Sequence, residues 1–387
     1  VSGGGTIYSE ATDALREFVE RTGIPVGETQ AGKGSLPFDH SLALGAVGST
    51  GTTAANAVAR GADVVIGIGT RYSDFTTASR TAFQAEGVRF VNLNVARVDA
   101  GKHAGEMVIG DARESLAALA DALSDFEVDD AYRAGAGALA AEWNATVEAA
   151  YHLDHQPLPA QSEIIGAVNE ISGPRDVVVC AAGSMPGDLH KLWRTRDPKG
   201  YHVEYGYSCM GYEIAGGLGI AMACPDRQVF VMVGDGSYLM MAQELVTAVQ
   251  ENVHMVIVLV QNHGFASIGA LSEELGSQRF GTRYRRRAEG SSRLDGDFLP
   301  VDLAANAASL GATVLRANGI SEFRTMLEQA KAIPGPVVVH VDSDPFVFAP
   351  SSESWWDVPV SEVSELDSTQ RARARYEAHK ATQRPLL

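Results

Sequence analysis

An aspartate between two glycines, Gly234-Asp235-Gly236, stands directly after the apolar run Val229-Phe230-Val231-Met232-Val233, and Ser237 opens a helical pattern behind it. Asn262 follows the next apolar run, Met255 to Val260, with 25 residues between it and Gly236. Both runs read as buried strands of a parallel sheet. Strand ends in such a sheet share one edge, so Asp235 and Asn262 are predicted to meet there. The carboxylate of Asp235 and the amide oxygen of Asn262 are hard ligands suited to magnesium. Glycines let the backbone approach a bulky anion, and a helix from Ser237 to Glu251 would aim its unpaired N–H groups at the same place. A cation bridging two phosphates, with a helix start behind it, is the chemistry this spacing predicts. Gly-Asp-Gly alone is commonly a plain turn. The Asn at this distance, the two strands and the following helix make the combination specific.

The elements that must position these residues alternate along the chain. Ala62 to Gly69, Val88 to Val95 and Met107 to Gly110 read as strands, with helices predicted over 9–22 and 112–123. Acidic residues, an Ala-rich helix and then His155-Gln156-Pro157-Leu158-Pro159 suggest a linker over 126–160. Beyond it, helices at 162–171, 210–223, 302–310 and 320–331 alternate with strands at 176–181, 228–233, 254–260, 313–315 and 336–341. The expected fold is α/β, two doubly wound parallel-sheet domains: 1–125, then 161–350, with a tail over 351–387 that carries Trp355-Trp356.

Composition narrows the function. Hydrophobic residues make up 45% and charged residues 20% of the 387, the balance of a globular protein. The 48 acidic against 31 basic residues give a net charge of −17, which argues against nucleic acid and anionic lipid as partners. An anionic ligand must therefore be held by local devices against the overall field. No stretch reaches the roughly 18 apolar residues of a membrane span, and no signal-peptide pattern is seen, so a cytoplasmic enzyme is expected. Cys180, Cys209 and Cys224 lack metal-ligand spacing and read as reduced, apolar residues.

The Gly234-Asp235-Gly236 to Asn262 pattern resembles the diphosphate motif of thiamine diphosphate (ThDP) enzymes of the acetohydroxyacid synthase and pyruvate oxidase group. The resemblance implies that Asp235, the Asn262 side chain and the Gly264 carbonyl hold Mg2+, and that Gly236 and Ser237 contact phosphate oxygens. Gly206-Tyr207-Ser208-Cys209-Met210-Gly211 resembles the segment facing the two cofactor rings. By that match the Ser208 carbonyl accepts a hydrogen bond from the aminopyrimidine, and Met210 props the cofactor into its bent shape. Ala182-Gly183-Ser184 resembles the loop that meets the diphosphate from the other side, which implicates Gly183 and Ser184. Here Ser184-Met185 stand where relatives often carry Gln and His, and Gln261 where many carry a second Asn.

More narrowly, Asp74-Phe75-Thr76-Thr77, Glu244-Leu245-Val246-Thr247 and the tail from Ser352 to Val360 are similar to hydrolases of this group that act in myo-inositol catabolism. That implies hydrolytic ring opening of a small cyclic 1,2-diketone to 5-deoxyglucuronate, by a homodimer or homotetramer. An acetohydroxyacid synthase-like or 2-oxo acid decarboxylase activity, or a fragment that holds cofactor without chemistry, are the alternatives on the same residues. In the family an activating Glu lies in a pyrimidine-binding domain that precedes the central domain. The chain is read as beginning where the central domain begins, so it is expected to lack that Glu, to be inactive alone and to leave the loop after Gly264 disordered. His263, beside the metal ligand, is the candidate acid–base residue. The run from Arg283 to Arg287 reads as a solvated loop, or else as a mobile cover, and Gly67-Ile68-Gly69 as part of a structural central domain rather than a dinucleotide loop.

Overall fold

The structure is a computed structural model that describes residues 1–204 and 206–385. In the first domain β1 (Val26–Glu28) pairs with β2 (Ala43–Ala46), and β3 (Val64–Ile68), β4 (Arg89–Asn94) and β5 (Glu106–Ile109) form a second parallel set. Ser2 bridges both Glu28 and Ile68, joining the two sets into one sheet. The helix expected over 9–22 begins only at Thr12, because Glu10 takes φ +54° and ends a short preceding helix, Gly4–Tyr8.

The second domain carries β6 (Val177–Cys180), β7 (Tyr201–Val203), β8 (Val229–Gly234), β9 (Met255–Gln261), β10 (Thr313–Ala317) and β11 (Pro336–Asp342). All pairs are parallel, in the order β10-β11-β9-β8-β6-β7. Every residue of β9 is buried, as a strand covered on both faces must be. One face packs on helices Gln161–Ile171 and Ile320–Ala330, and the other on Tyr212–Ala223, Glu244–Gln250 and Leu303–Ser309. Each fully buried Val, Leu or Ile in these layers contributes about 1.5–3 kcal/mol, so the sheet is a rigid platform for what its ends carry. Two α/β parallel-sheet domains are what the alternation predicted. The short strand β7 and the helix Met185–Leu192 were missed, since three or eight residues give too little periodicity to read.

The stretch 126–160 is mostly one helix, Asp130–Tyr151. Its Trp143, Val147 and Tyr151 join the core of the second domain, while Ala136 packs in the first. The Tyr151 hydroxyl donates to the Leu192 carbonyl at 2.6 Å. Further bonds cross between the domains. Tyr201 Oη donates to Gln30 Oε1 at 2.7 Å, and Gln30 Nε2 to the Pro186 carbonyl at 2.9 Å. The tail returns to the first domain, where Asn56 donates to the Ser352 carbonyl and the Asp357 N–H to Ser79 Oγ, each at 2.8 Å. Among the described residues no helix is long and apolar enough to cross a membrane.

Candidate cofactor and metal site

The chain leaves β6 for the sheet edge at β7 and then returns to β8 on the other side of β6, so the strand order reverses there. Crevices at such switch points receive ligands in open α/β sheets. Asp235 follows β8 and Asn262 follows β9, with Gly234 in register with Val260. The predicted meeting of the two strand ends is present.

Asp235 is buried, and its two oxygens accept from the Gly236 N–H at 2.9 Å and the Gly264 N–H at 3.0 Å. Burial pushes this carboxyl up to about 6 from an ordinary 3.8, against the opposing pull of those N–H groups. Asn262 Oδ1 is buried and has no hydrogen-bond partner. An orphaned acceptor of this kind costs about 1–3 kcal/mol unless something unseen binds it. The Gly264 carbonyl oxygen lies 3.6 Å from where a Cβ on Gly236 would stand. A carboxylate, an unpartnered amide oxygen and a nearby carbonyl form a donor set that fits a hard cation. Both glycines are required by packing. A Cβ on Gly236 would stand 2.7 Å from the Phe265 ring, and one on Gly264 2.3 Å from the Thr282 carbonyl oxygen.

A cleft of about 420 Å³ opens over this set. It is lined by Asp235, Gly236, Ser237, Asn262 and Gly264 from one side, and by Gly183, Ser184, Ser208 and Met210 from the other. Gly183 takes φ +87°, and Ser208, which is exposed, takes φ +52°. Ser184 Oγ donates to Gln161 Oε1 at 3.1 Å. These nine residues, spread over 82 positions of sequence, share one cavity.

Several expectations need correction. The helix read over 237–251 is a single turn, Asp235–Tyr238, then a break, then Glu244–Gln250. Met241 in the break packs against Gly211, whose missing side chain makes the room, and this contact overrides local helix propensity. What faces the cleft is therefore one turn of N–H groups. The Ser237 hydroxyl is already committed, donating to Glu213 at 2.7 Å and accepting from the Gly211 N–H at 2.7 Å. That leaves its backbone N–H as the group to offer a phosphate.

His263 is not among the residues lining the cleft. Its Nε2 pairs with Asp342 at 3.2 Å, its Nδ1 lies 3.1 Å from Gln261 Nε2, and its ring leans on Phe298. Asp342 raises the imidazole pKa and holds the ring there. The residues after Gly264 form a helix, Ala266–Glu274, rather than a disordered loop. The arginine run is not free in solvent over its first half. Phe265 N–H donates to the Thr282 carbonyl at 2.9 Å and Tyr284 N–H to the His263 carbonyl at 3.0 Å, so residues 282–284 clamp the loop that carries Gly264. Arg283 then stacks over Phe346 and Arg285 over Phe298. Cys180 is buried as expected, whereas Cys209 is exposed.

Glu213 escaped the sequence reading. It is a buried carboxylate in the otherwise apolar helix Tyr212–Ala223, and burial raises its pKa above the usual range. Accepting from both Gly211 N–H and Ser237 Oγ, it ties the Met210-Gly211 segment to the Gly236-Ser237 turn. A lone acid in an apolar helix was the signal available. Gln30, Thr50, Phe75 and Trp356 also line the cleft, and no local pattern could have placed them there.

Comparison with known proteins agrees with this architecture. Residues 1–119 match the family described as thiamine pyrophosphate enzyme, central domain. Residues 181–341 match thiamine pyrophosphate enzyme, C-terminal TPP binding domain. A 3D-(3,5/4)-trihydroxycyclohexane-1,2-dione hydrolase of Bacillus cereus is 39% identical over 396 residues, covering 96% of this chain and 62% of that protein. A hydrolase of the same name from Bacillus thuringiensis (strain Al Hakam) is 39% identical over 402 residues, covering 98% of this chain and 62% of its own length. The chain thus spans less than two thirds of the curated relatives it matches. With a metal-ready pair at the ends of β8 and β9 and both domain matches in place, the chain belongs to the thiamine pyrophosphate enzymes, of which it carries the central and the TPP-binding domains.

Proposed function

We propose that the complete protein is a ThDP- and Mg2+-dependent hydrolase that opens the ring of trihydroxycyclohexane-1,2-dione to 5-deoxyglucuronate in inositol catabolism. It would work in the cytoplasm as a homodimer or homotetramer. The unpartnered Asn262 Oδ1 beside the buried Asp235 carboxylate carries the cofactor half of this reading, since both await a cation. The substrate half rests on the relatives, whose names state that diketone.

Asp235, Asn262 and the Gly264 carbonyl would hold the metal. Backbone N–H groups at Gly236 and Ser237, with Gly183 and Ser184 opposite, would hold the diphosphate. Ser208 and Met210 would support the two rings. ThDP, when bound, supplies a carbon nucleophile and electron sink that no side chain here offers. The residues of this chain supply affinity, orientation and a partly enclosed cleft, which count toward rate only as far as they favour the transition state. Water is the second reactant: it adds across the bond between the two carbonyl carbons, and one leaves as carboxylate, the other as aldehyde.

The test is turnover by the complete protein with ThDP and Mg2+. The reading predicts consumption of the cyclic diketone with no carbon dioxide released. Release of carbon dioxide from a 2-oxo acid, with the diketone untouched, would replace it with a decarboxylase or synthase.

A further inference from the structure

The two short segments that pointed most narrowly to a cyclic-diketone hydrolase, Asp74-Phe75 and Trp355-Trp356, lie about 280 residues apart and touch each other. Trp356 Nε1 donates to Asp74 Oδ2 at 2.9 Å. The Phe75 and Trp356 rings stand 4.8 Å apart, tilted by 34°. Both rings line the cleft that holds the metal and diphosphate residues.

The neighbouring tryptophan is used differently. Trp355 stacks on His379 at 5.4 Å and leans on Tyr376 of the terminal helix Asp367–Lys380, so its ring is spent on packing the tail. Trp356 keeps 37% of its surface exposed although its edge is pinned by Asp74. The backbone after it is pinned too, through the bond from the Asp357 N–H to Ser79 Oγ. A large apolar ring held rigid yet left open to a cavity is not a core residue. In small-molecule sites, fixed aromatic faces provide most of the contact area, and a few polar groups set orientation.

We infer that Trp356, backed by Phe75 and oriented by Asp74, is the shelf on which the six-membered polyol ring of the substrate lies. This rests on the reading of the substrate as a cyclic polyol diketone. Such a ring presents C–H bonds on its faces and hydroxyls around its rim. Its face suits an indole. Acyclic 2-oxo acids present no such face. Trp356 is therefore a specificity-determining residue, and it is supplied by the tail rather than by either sheet.

The test compares wild type, Trp356→Ala and Trp356→Phe in the complete protein. Trp356→Ala is expected to raise KM for the cyclic diketone about tenfold or more, with a much smaller change in kcat. Trp356→Phe, which keeps an aromatic face, is expected to recover most of that loss. ThDP affinity, measured separately by calorimetry, should be unchanged in both, which also reports that the variants are folded. A saturated cyclohexanehexol should show saturation-transfer NMR signals at its ring protons with wild type and lose them with Trp356→Ala. Normal turnover with an unchanged KM in Trp356→Ala would overturn the shelf and leave the functional reading standing. Absence of diketone consumption by wild type would overturn that reading and the shelf with it.

Discussion

Replacing Asp235 by Asn should make the metal-free protein more stable at neutral pH and abolish its response to Mg2+. In the folded chain the Asp235 carboxyl is held at about 6 rather than 3.8, because burial penalises the charge more than two N–H bonds repay it. At roughly 1.4 kcal/mol per tenfold change in proton affinity, that difference is about 3 kcal/mol of folding free energy set against the ionised form. The sign follows from proton counting. Between pH 3.8 and about 6 the folded state binds more protons than the unfolded one, so wild-type stability falls as pH rises through that window. Above about 6 the penalty is complete, and below 3.8 it is absent. Asn carries no charge, but its NH2 cannot accept the second of the two N–H groups, at a cost of about 1–3 kcal/mol, so the variant should gain at most about 2 kcal/mol over wild type at about pH 7. That advantage should be lost as pH falls toward 3.8. Urea denaturation in chelator, run from about pH 4 to about pH 8, measures the difference directly. Adding Mg2+ and ThDP should then raise wild-type stability and leave the variant unmoved, since bound ligand stabilises only a fold that binds it. A variant less stable than wild type at neutral pH, or one still stabilised by cofactor and metal, would refute the assignment of Asp235 as a buried charge awaiting a cation.

Asn262→Ala should weaken Mg2+-dependent ThDP binding by more than about tenfold, or about 1.4 kcal/mol by calorimetry, yet cost the metal-free fold little, because Oδ1 has no partner to lose. Glu213→Ala should cost about 1–3 kcal/mol in denaturant unfolding by stranding the buried Ser237 hydroxyl, and Glu213→Gln should restore most of it. His263→Asn, whose side chain tolerates the φ of +60° found there, should leave kcat within about threefold of wild type, because the imidazole does not line the cleft. A loss of about a hundredfold or more would return His263 to the chemistry.

Sequence alone determined the parts of this protein whose cause is local. The runs at 229–233 and 255–260 read as covered parallel strands, being continuously apolar and too short for buried helices. Parallel strands in one sheet end on one edge, so topology by itself brings Asp235 and Asn262 together. The glycines flanking Asp235 were legible as positions where a backbone must come close, whereas the need for Gly264 came from the Thr282 carbonyl packed against it. Tertiary structure decided whatever depended on which surfaces finally met. Whether 237–251 runs as one helix was settled by Met241 reaching Gly211, a contact across 30 positions that no window of propensity contains. His263 was turned to Asp342, and Ser237 to Glu213, by partners on other elements. Trp356 reached the cleft because the tail folds back over the first domain, a matter of long-range hydrogen bonds between Ser352, Asp357 and residues nearly 300 positions away. A chain's pattern encodes which face of each element must be buried, but which neighbour buries it is fixed only when all the elements pack at once.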